Sequence, residues 1–170
     1  TNVTGVYSNG SQAFSSLSGG NATGLVGFWK FNNDSRYGEN ATHVFDFSYS
    51  GNNGSVVGGS DSDSGWSPSG YYEGGQMFDG DEDYLAMGDV SVLDGVTNFS
   101  IGAWVNPSVL SGVRDMIVSK DPKHEFFFND GDICLRVNNL SYDGIEYPFA
   151  VDTWYYISVT QNDGGKNYYV

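Results

Sequence analysis

Short apolar runs separated by polar clusters dominate the hydropathy pattern of this chain. Aromatic and β-branched residues fill the runs, and Gly, Ser, Asn and Asp collect between them. Runs of this kind are typical of β-strands, and no stretch of about 12 residues shows the 3.6-residue period of a helix. The pattern therefore predicts an all-β fold.

The clearest strand lies between Asn98 and Pro107, where the residues alternate. One face carries Phe99, Ile101, Ala103 and Val105, and the other carries Ser100, Gly102 and Trp104, because successive side chains of a strand point to opposite sides of its sheet. Further strands are predicted over residues 25–31, 55–57, 76–78, 84–87, 116–120, 125–128, 133–137, 153–160 and 167–170.

Composition divides the chain into two parts. Residues 1–24 are mostly Ser, Gly, Asn and Thr, which predicts a flexible or extended N-terminal arm or linker. A single domain is predicted over residues 25–170, where the apolar runs lie. The last run still reads as a strand at Val170, so we expect the fold to be incomplete at this end.

Four carboxylates stand between two of the predicted strands. Asp79, Asp81, Glu82 and Asp83 share the five residues 79–83 with one glycine. Strand, Gly-containing turn and strand together predict a hairpin, with Phe78 and Tyr84 as core anchors on either side of its tip. Four acids so close together repel each other unless solvent or a cation balances their charge.

The net charge of −14 limits the function classes. No basic patch is present to neutralise phosphates, which excludes nucleic-acid binding and disfavours anionic membranes. No apolar stretch is long enough for direct membrane insertion. Cations, neutral glycans and proteins remain as partners. The one cysteine, Cys134, lies in an alternating run and is predicted to be a buried structural thiol.

Asn-x-Ser/Thr triplets are more frequent than chance, which gives roughly two or three. Eight are present, at Asn2, Asn9, Asn21, Asn33, Asn40, Asn53, Asn98 and Asn139. Nearly all fall in predicted loops, where a glycosylating enzyme reaches them. The excess predicts an N-glycosylated protein that is extracellular or at a cell surface.

Several segments, in this order, resemble the laminin-G-like, concanavalin-A-like jelly-roll family. They are residues 27–31, Asp46 with 51–54, 75–80 with 83–85, 99–107, 117–120 and 154–159. The resemblance implies two antiparallel sheets packed as a jelly-roll sandwich. It also implies a role in extracellular adhesion or glycan binding, often with a structural calcium ion.

Calcium prefers six to eight oxygen ligands from carboxylates, amides and backbone carbonyls. The candidate ligands form two groups, the Asp46 loop that the resemblance points to and the acidic tip: Asp46, Asn52, Asp79, Asp81 and Asp83. Asn53 is a weaker candidate because it belongs to a glycosylation triplet. The alternative for the tip is a plain solvated turn.

Aromatic residues in the loops are candidates for glycan binding, because sugars stack on exposed aromatic faces. The candidates are Trp66, Tyr71, Tyr72, Tyr142 and Tyr147, and the alternative for each is a place in the core. The Glu-x-Asp-x-x-Glu strand motif of glycan-hydrolysing relatives and the Gly-x-Ser-x-Gly motif are both absent from the sequence. We therefore expect no enzymatic activity.

These observations predict an extracellular, N-glycosylated adhesion or recognition module that binds glycans or proteins at a cell surface. The first alternative is a structural subunit of an extracellular filament or surface layer, assembled by strand or arm exchange through an open sheet edge. The second alternative is a glycoside hydrolase-related domain.

Overall fold

A computed structural model describes residues 24–48, 50–58, 65–80, 82–110, 112, 114–120, 124–138 and 140–170. Within these ranges the regular structure consists of β-strands and two short 3-10 helices, so the predicted all-β class is confirmed. The described residues divide into two compact units, 24–92 and 93–170. The predicted arm lies outside the described residues except for Gly24, and the single domain over 25–170 stays a prediction.

The first unit, 24–92, contains two small antiparallel sheets. Its strands are β1 (His43–Val44), β2 (Gly54–Val57), β3 (Gly65–Tyr72), β4 (Gly74–Met77) and β5 (Tyr84–Ala86). One sheet has the order β1-β2-β5, and β3 pairs with β4 in the other. The 3-10 helix Ser35–Tyr37 precedes β1, and Ser91–Leu93 follows β5.

The predicted acidic hairpin is wrong. Both strands exist, but β4 pairs with β3 and β5 pairs with β2, so residues 78–83 connect two sheets. The end of β2 and the start of β5 are in close contact, since a Cβ on Gly58 would lie 3.0 Å from the Asp83 Cα. Phe78 and Tyr84 are 46% and 53% exposed, so they are not core anchors.

The predicted strand over residues 25–31 is also wrong. Only Trp29 makes a β-bridge there, with Asp46, and Phe31 has a left-handed φ of 57° that ends any extended run. The segment is apolar because it packs along a loop, as the Phe28 and Phe47 rings show with centroids 6.4 Å apart. Apolar runs of this length do not distinguish a strand from a packed loop.

The second unit, 93–170, contains two larger antiparallel sheets. Its strands are β6 (Phe99–Val105), β7 (Asp115–Lys120), β8 (His124–Asn129), β9 (Asp132–Val137), β10 (Asp143–Ile145), β11 (Tyr155–Asn162) and β12 (Gly165–Tyr169). The sheet orders are β10-β9-β8-β7 and β12-β11-β6. Every predicted strand of this region therefore exists within two residues of its predicted limits.

One apolar core joins the two sheets of the second unit, which makes this unit a β-sandwich. The first sheet contributes Phe126, Phe128, Ile133, Leu135 and Val137, and the second contributes Ile157 and Val159. The predicted apolar face of β6 packs here through Phe99, Ile101 and Val105. The jelly-roll connection of strands stays a prediction.

The outer face of β8 and β9 carries a buried charge. Glu125 is 5% exposed, and its Oε2 accepts a hydrogen bond from the Arg114 guanidinium and forms an ion pair with Arg136 at 3.2 Å. A buried carboxylate needs such partners, because removal from water costs several kcal/mol. On the same face Cys134 is buried, as predicted, and burial with the nearby Asp132 and Asp143 raises its pKa to about 11.

A polar cluster connects the two sheets at one edge of the sandwich. The Lys166 ammonium on β12 donates to the Asp143 carboxylate at 2.5 Å and to the Leu135 carbonyl at 2.9 Å. The Tyr168 hydroxyl donates to the Asp143 carbonyl oxygen at 2.7 Å and accepts from the Leu135 amide at 3.1 Å. Each of these bonds joins β12 of one sheet to β9 or β10 of the other.

The stability of the sandwich should fall in acid partly because of Asp143. Partial burial raises the pKa of this carboxyl, but hydrogen bonds from Lys166 and Tyr168 outweigh it and leave the pKa below its ordinary value. A carboxyl whose pKa is lower in the folded state stabilises the fold at pH values above its unfolded-state pKa of about 4. That contribution is lost as the pH falls through the folded-state pKa. Because Asp143 is largely exposed, we expect about 1 kcal/mol or less.

Urea denaturation of the wild type and of Asp143→Asn, at pH 7 and at pH 3, measures this contribution. The variant should be less stable than the wild type at pH 7, and the difference should be smaller at pH 3. The same difference at both pH values would contradict the assignment.

Candidate functional site

Asp46 is the most buried of the predicted calcium ligands. It is 1% exposed, and its Oδ1 accepts the amides of Phe28 at 3.0 Å and Ser48 at 2.9 Å. Its Oδ2 accepts the amide of Asn52 at 3.0 Å. Three charge-assisted bonds compensate for the burial of the carboxylate and hold residues 25–31 against the loop that follows Asp46.

The two asparagines of this loop extend the same network. The Asn53 Oδ1 accepts the Asp46 amide at 2.9 Å. Asn52 donates from Nδ2 to the Val26 carbonyl at 2.7 Å, and its own carbonyl accepts the Trp29 indole N–H at 2.8 Å. The predicted ligands Asp46 and Asn52 are thus brought together, and in the structure their polar atoms bind backbone and indole partners.

The acidic connection between β4 and β5 lies elsewhere in the first unit. Asp79 donates its amide to Asp83 Oδ2 at 3.2 Å, so these two predicted ligands do meet. Asp81 lies outside the described residues. Among the side chains that the structure describes, no group of three or more His, Cys, Asp or Glu residues is arranged to hold a metal ion.

The strand β2 separates the two predicted halves of the calcium site. Asn53, which contacts Asp46, precedes β2, and Gly58, which contacts Asp83, follows it. Four strand steps span about 13 Å, whereas two oxygen ligands of one calcium ion lie within about 5 Å of each other. Among the described ligands, the structure therefore does not bring the two groups to one ion, and calcium binding at either stays a prediction.

The predicted aromatic ligands differ in exposure. Trp66 is partly buried, donates its indole N–H to the Phe31 carbonyl at 3.0 Å and lies against Gly74. Tyr71 and Tyr72 are 45% and 46% exposed and pack edge to face. In the second unit Tyr142 is 44% and Tyr147 is 38% exposed. Four of the five side chains can therefore meet a ligand in solvent.

The described glycosylation triplets all have exposed asparagines, namely Asn33, Asn40, Asn53 and Asn98. In the Asn40 triplet, Oδ1 accepts the Thr42 amide at 2.8 Å and the Thr42 hydroxyl at 2.9 Å. At Asn53 the internal hydrogen bond uses Oδ1, and a glycan would attach at Nδ2, so the two are compatible. Asn2, Asn9, Asn21 and Asn139 lie outside the described residues.

Sequence reasoning did not select an aromatic group on the outward face of the β12-β11-β6 sheet. Trp104 and Tyr156 pack there with ring centroids 5.5 Å apart, and Tyr169 is 54% exposed nearby. The signal was present, because the alternation of β6 already places Trp104 opposite the core face. The prediction included only aromatic residues in predicted loops, so it did not include Trp104.

Comparison of the chain with models of known protein families, with curated proteins and with solved structures finds no match. No helix in the described part of the chain is long and apolar enough to cross a membrane.

Replacement of Asp46 by Asn should destabilise the first unit by about 2–3 kcal/mol, because an amide N–H2 would face backbone N–H donors that need an acceptor. Urea denaturation measures the change. Glu82→Gln, at an exposed carboxylate of the same unit, is the control, with an expected change below about 0.5 kcal/mol. A loss no larger for Asp46→Asn than for the control would contradict the structural role.

If the acidic connection binds calcium, the melting temperature should be higher in calcium than in chelator. A ligand that binds only the folded state stabilises that state. The double variant Asp79→Ala/Asp81→Ala should lose this difference while Asp46→Asn keeps it. If calcium and chelator give the wild type the same melting temperature, the acidic connection is a solvated loop.

Proposed function

We propose that the chain is an extracellular, N-glycosylated recognition module that binds glycans at a cell surface without catalysing a reaction. The observation that carries the proposal is the exposure of Tyr71, Tyr72, Tyr142 and Tyr147, each at least 38% accessible. The exposed part of each ring, less than half of it, still lacks the free energy of burial, which is about 1.5–3 kcal/mol for a fully buried large side chain. A ligand that covers them recovers part of it.

The exposed glycosylation triplets support the extracellular part of the proposal. Asn33, Asn40, Asn53 and Asn98 are all accessible to a modifying enzyme. The net charge of −14 supports a neutral or cationic partner over a polyanion, because like charges oppose association.

A second candidate is a structural subunit that assembles by strand addition. It is supported by β7, which in the described residues pairs only with β8 and exposes Met116 and Val118 by 45% and 41%. An exposed apolar edge strand is a template for a strand of another chain. The register irregularity between Met116 and Val118 works against this pairing, because a bulge twists the edge.

Glycan-array binding together with sedimentation velocity separates the two candidates. A recognition module should bind a defined set of glycans and sediment as one species at all concentrations. Tyr71→Ala and Tyr142→Ala each remove one exposed tyrosine, and loss of glycan binding identifies the tyrosine that contacts the ligand. A structural subunit should instead polymerise with rising concentration, lose this with Val118→Lys, and bind no glycan. Polymerisation without glycan binding would overturn the proposed function.

A further inference from the structure

A cleft in the first unit lies beside one of the glycosylation triplets. Its volume is about 100 Å³, whereas one water molecule needs about 10–15 Å³. The residues that line it are Tyr37, Gly38, His43, Val44, Phe45 and Asn53. Asn53 begins the triplet Asn53-Gly54-Ser55, so a glycan on this residue would start at the wall of the cleft.

The strand register explains why the triplet meets the cleft. His43 of β1 is opposite Ser55 of β2. Two positions further along the antiparallel pair are Phe45 and Asn53, which lie on the same side of the sheet as His43 and Ser55 because side chains alternate. His43, Asn53 and Ser55 are exposed, so this side faces solvent.

Tyr37 brings an aromatic ring to the same cleft. It ends the 3-10 helix Ser35–Tyr37, and Gly38 turns the chain there with a left-handed φ of 82°. The ring packs on Phe45 with centroids 5.3 Å apart and edge to face on Phe47 at 4.8 Å. These contacts hold the ring in place, and Tyr37 is still 44% exposed. The cleft therefore has one fixed, accessible aromatic wall.

The Asn53 side chain is also held in one orientation. Its Oδ1 accepts the Asp46 amide at 2.9 Å. Because an amide group is planar, a fixed Oδ1 restricts the direction of Nδ2, which is the atom that carries a glycan. A sugar on this nitrogen loses less freedom on contact with the protein than a sugar on a mobile side chain.

We propose that the first sugar of an N-linked glycan on Asn53 lies in this cleft and packs on the Tyr37 ring. The inference rests on the N-glycosylation in the proposed function and gives one glycan a structural role. The apolar C–H face of a pyranose stacks on an aromatic ring, and the cleft beside Tyr37 offers space for the substituents of the sugar.

The attachment itself is a transfer from a sugar that is linked to a lipid diphosphate. The bond from Asn53 Nδ2 to the sugar C1 forms, and the bond from C1 to the diphosphate oxygen breaks. The amide nitrogen loses one proton, and the lipid diphosphate leaves with the electron pair of the broken bond.

The inference separates Tyr37 from the four tyrosines that carry the proposed function, although all five are 38–46% exposed. An attached sugar is present beside the Tyr37 ring at an effective concentration on the order of millimolar. It therefore competes with free glycans for this ring, and Tyr37 should contribute nothing to recognition of a free glycan.

NMR of the glycosylated chain tests the contact directly. The chain is produced in a eukaryotic host with ¹³C-labelled glycans, which are trimmed enzymatically to one N-acetylglucosamine at each site. One sugar should show C–H protons shifted upfield by the ring current of Tyr37. Peptide mass spectrometry measures whether Asn53 is occupied.

Three variants locate the shifted signals. Ser55→Ala deletes the triplet but keeps Asn53 and its hydrogen bond to Asp46, and Tyr37→Leu keeps an apolar side chain against Phe45. Both should lose the shifted signals. Ser100→Ala, which deletes the Asn98 triplet of the second unit, is the matched control and should keep them. Ser55 is exposed, so its variant stays informative even if Tyr37→Leu fails to fold.

The sugar contact should also stabilise the fold. Loss of the Asn53 glycan in Ser55→Ala should lower the melting temperature by about 4 °C. The same pair of proteins from bacteria, where neither carries a glycan, gives the effect of the side chain alone, which is subtracted. A corrected change no larger than that of Ser100→Ala would overturn the structural role of the glycan.

The outcomes separate this inference from the function on which it rests. If Asn53 is unmodified, or if the shifted signals survive Ser55→Ala, the inference is overturned and recognition by the four tyrosines stands. If Tyr37→Leu abolishes binding on the glycan array, Tyr37 binds free glycans and the inference is again overturned. If no triplet is modified and the array is empty, both are overturned.

Discussion

The packing of β8 and β9 against β11 is the constraint on which the second unit depends. Phe126 and Leu135 from one sheet and Ile157 and Val159 from the other are all completely buried. Burial of large aliphatic and aromatic side chains contributes about 1.5–3 kcal/mol each. Because strand positions alternate, fixing these residues inward also fixes which residues point to solvent.

In the first unit a single carboxylate has a comparable organising role. Asp46 binds three backbone amides, and two of them, those of Phe28 and Asn52, come from segments on either side of it in sequence. Glu39 acts in the same way, with its carboxylate accepting the Asp34 amide at 2.9 Å and the Phe45 amide at 3.2 Å. Small sheets bury little apolar area. Buried carboxylates that accept hydrogen bonds from loop amides therefore supply part of the stabilisation that holds the loops in place.

Local patterns in the sequence predicted strands and their faces better than strand partners. The alternation of β6 identified its core face, and the setting of Cys134 identified a buried thiol. The pairing of β4 with β3 could not be read from alternation, because a run of apolar residues does not specify which neighbour satisfies its backbone. The hairpin prediction assumed that adjacent strands pair, and six connecting residues were enough to change sheets.

The candidate site shows the same limit. Asp46 was selected as an oxygen ligand, and the type of side chain alone could not show that backbone amides would take its oxygens. The loop predicted for Trp66, Tyr71 and Tyr72 is wrong, because all three lie on β3. Trp66 turned inward because its indole N–H finds the Phe31 carbonyl. Trp104, Tyr156 and Tyr169 come together only through the register of three strands, two of which are distant from β6 in sequence.

The central claim is that exposed tyrosines of this acidic chain recognise a glycan. Backbone amide NMR during titration with a glycan that the chain binds tests it most directly. The account predicts that the largest shift changes fall at Tyr71 and Tyr72 or at Tyr142 and Tyr147. Changes confined to other parts of the chain, with these four tyrosines unmoved, would contradict it.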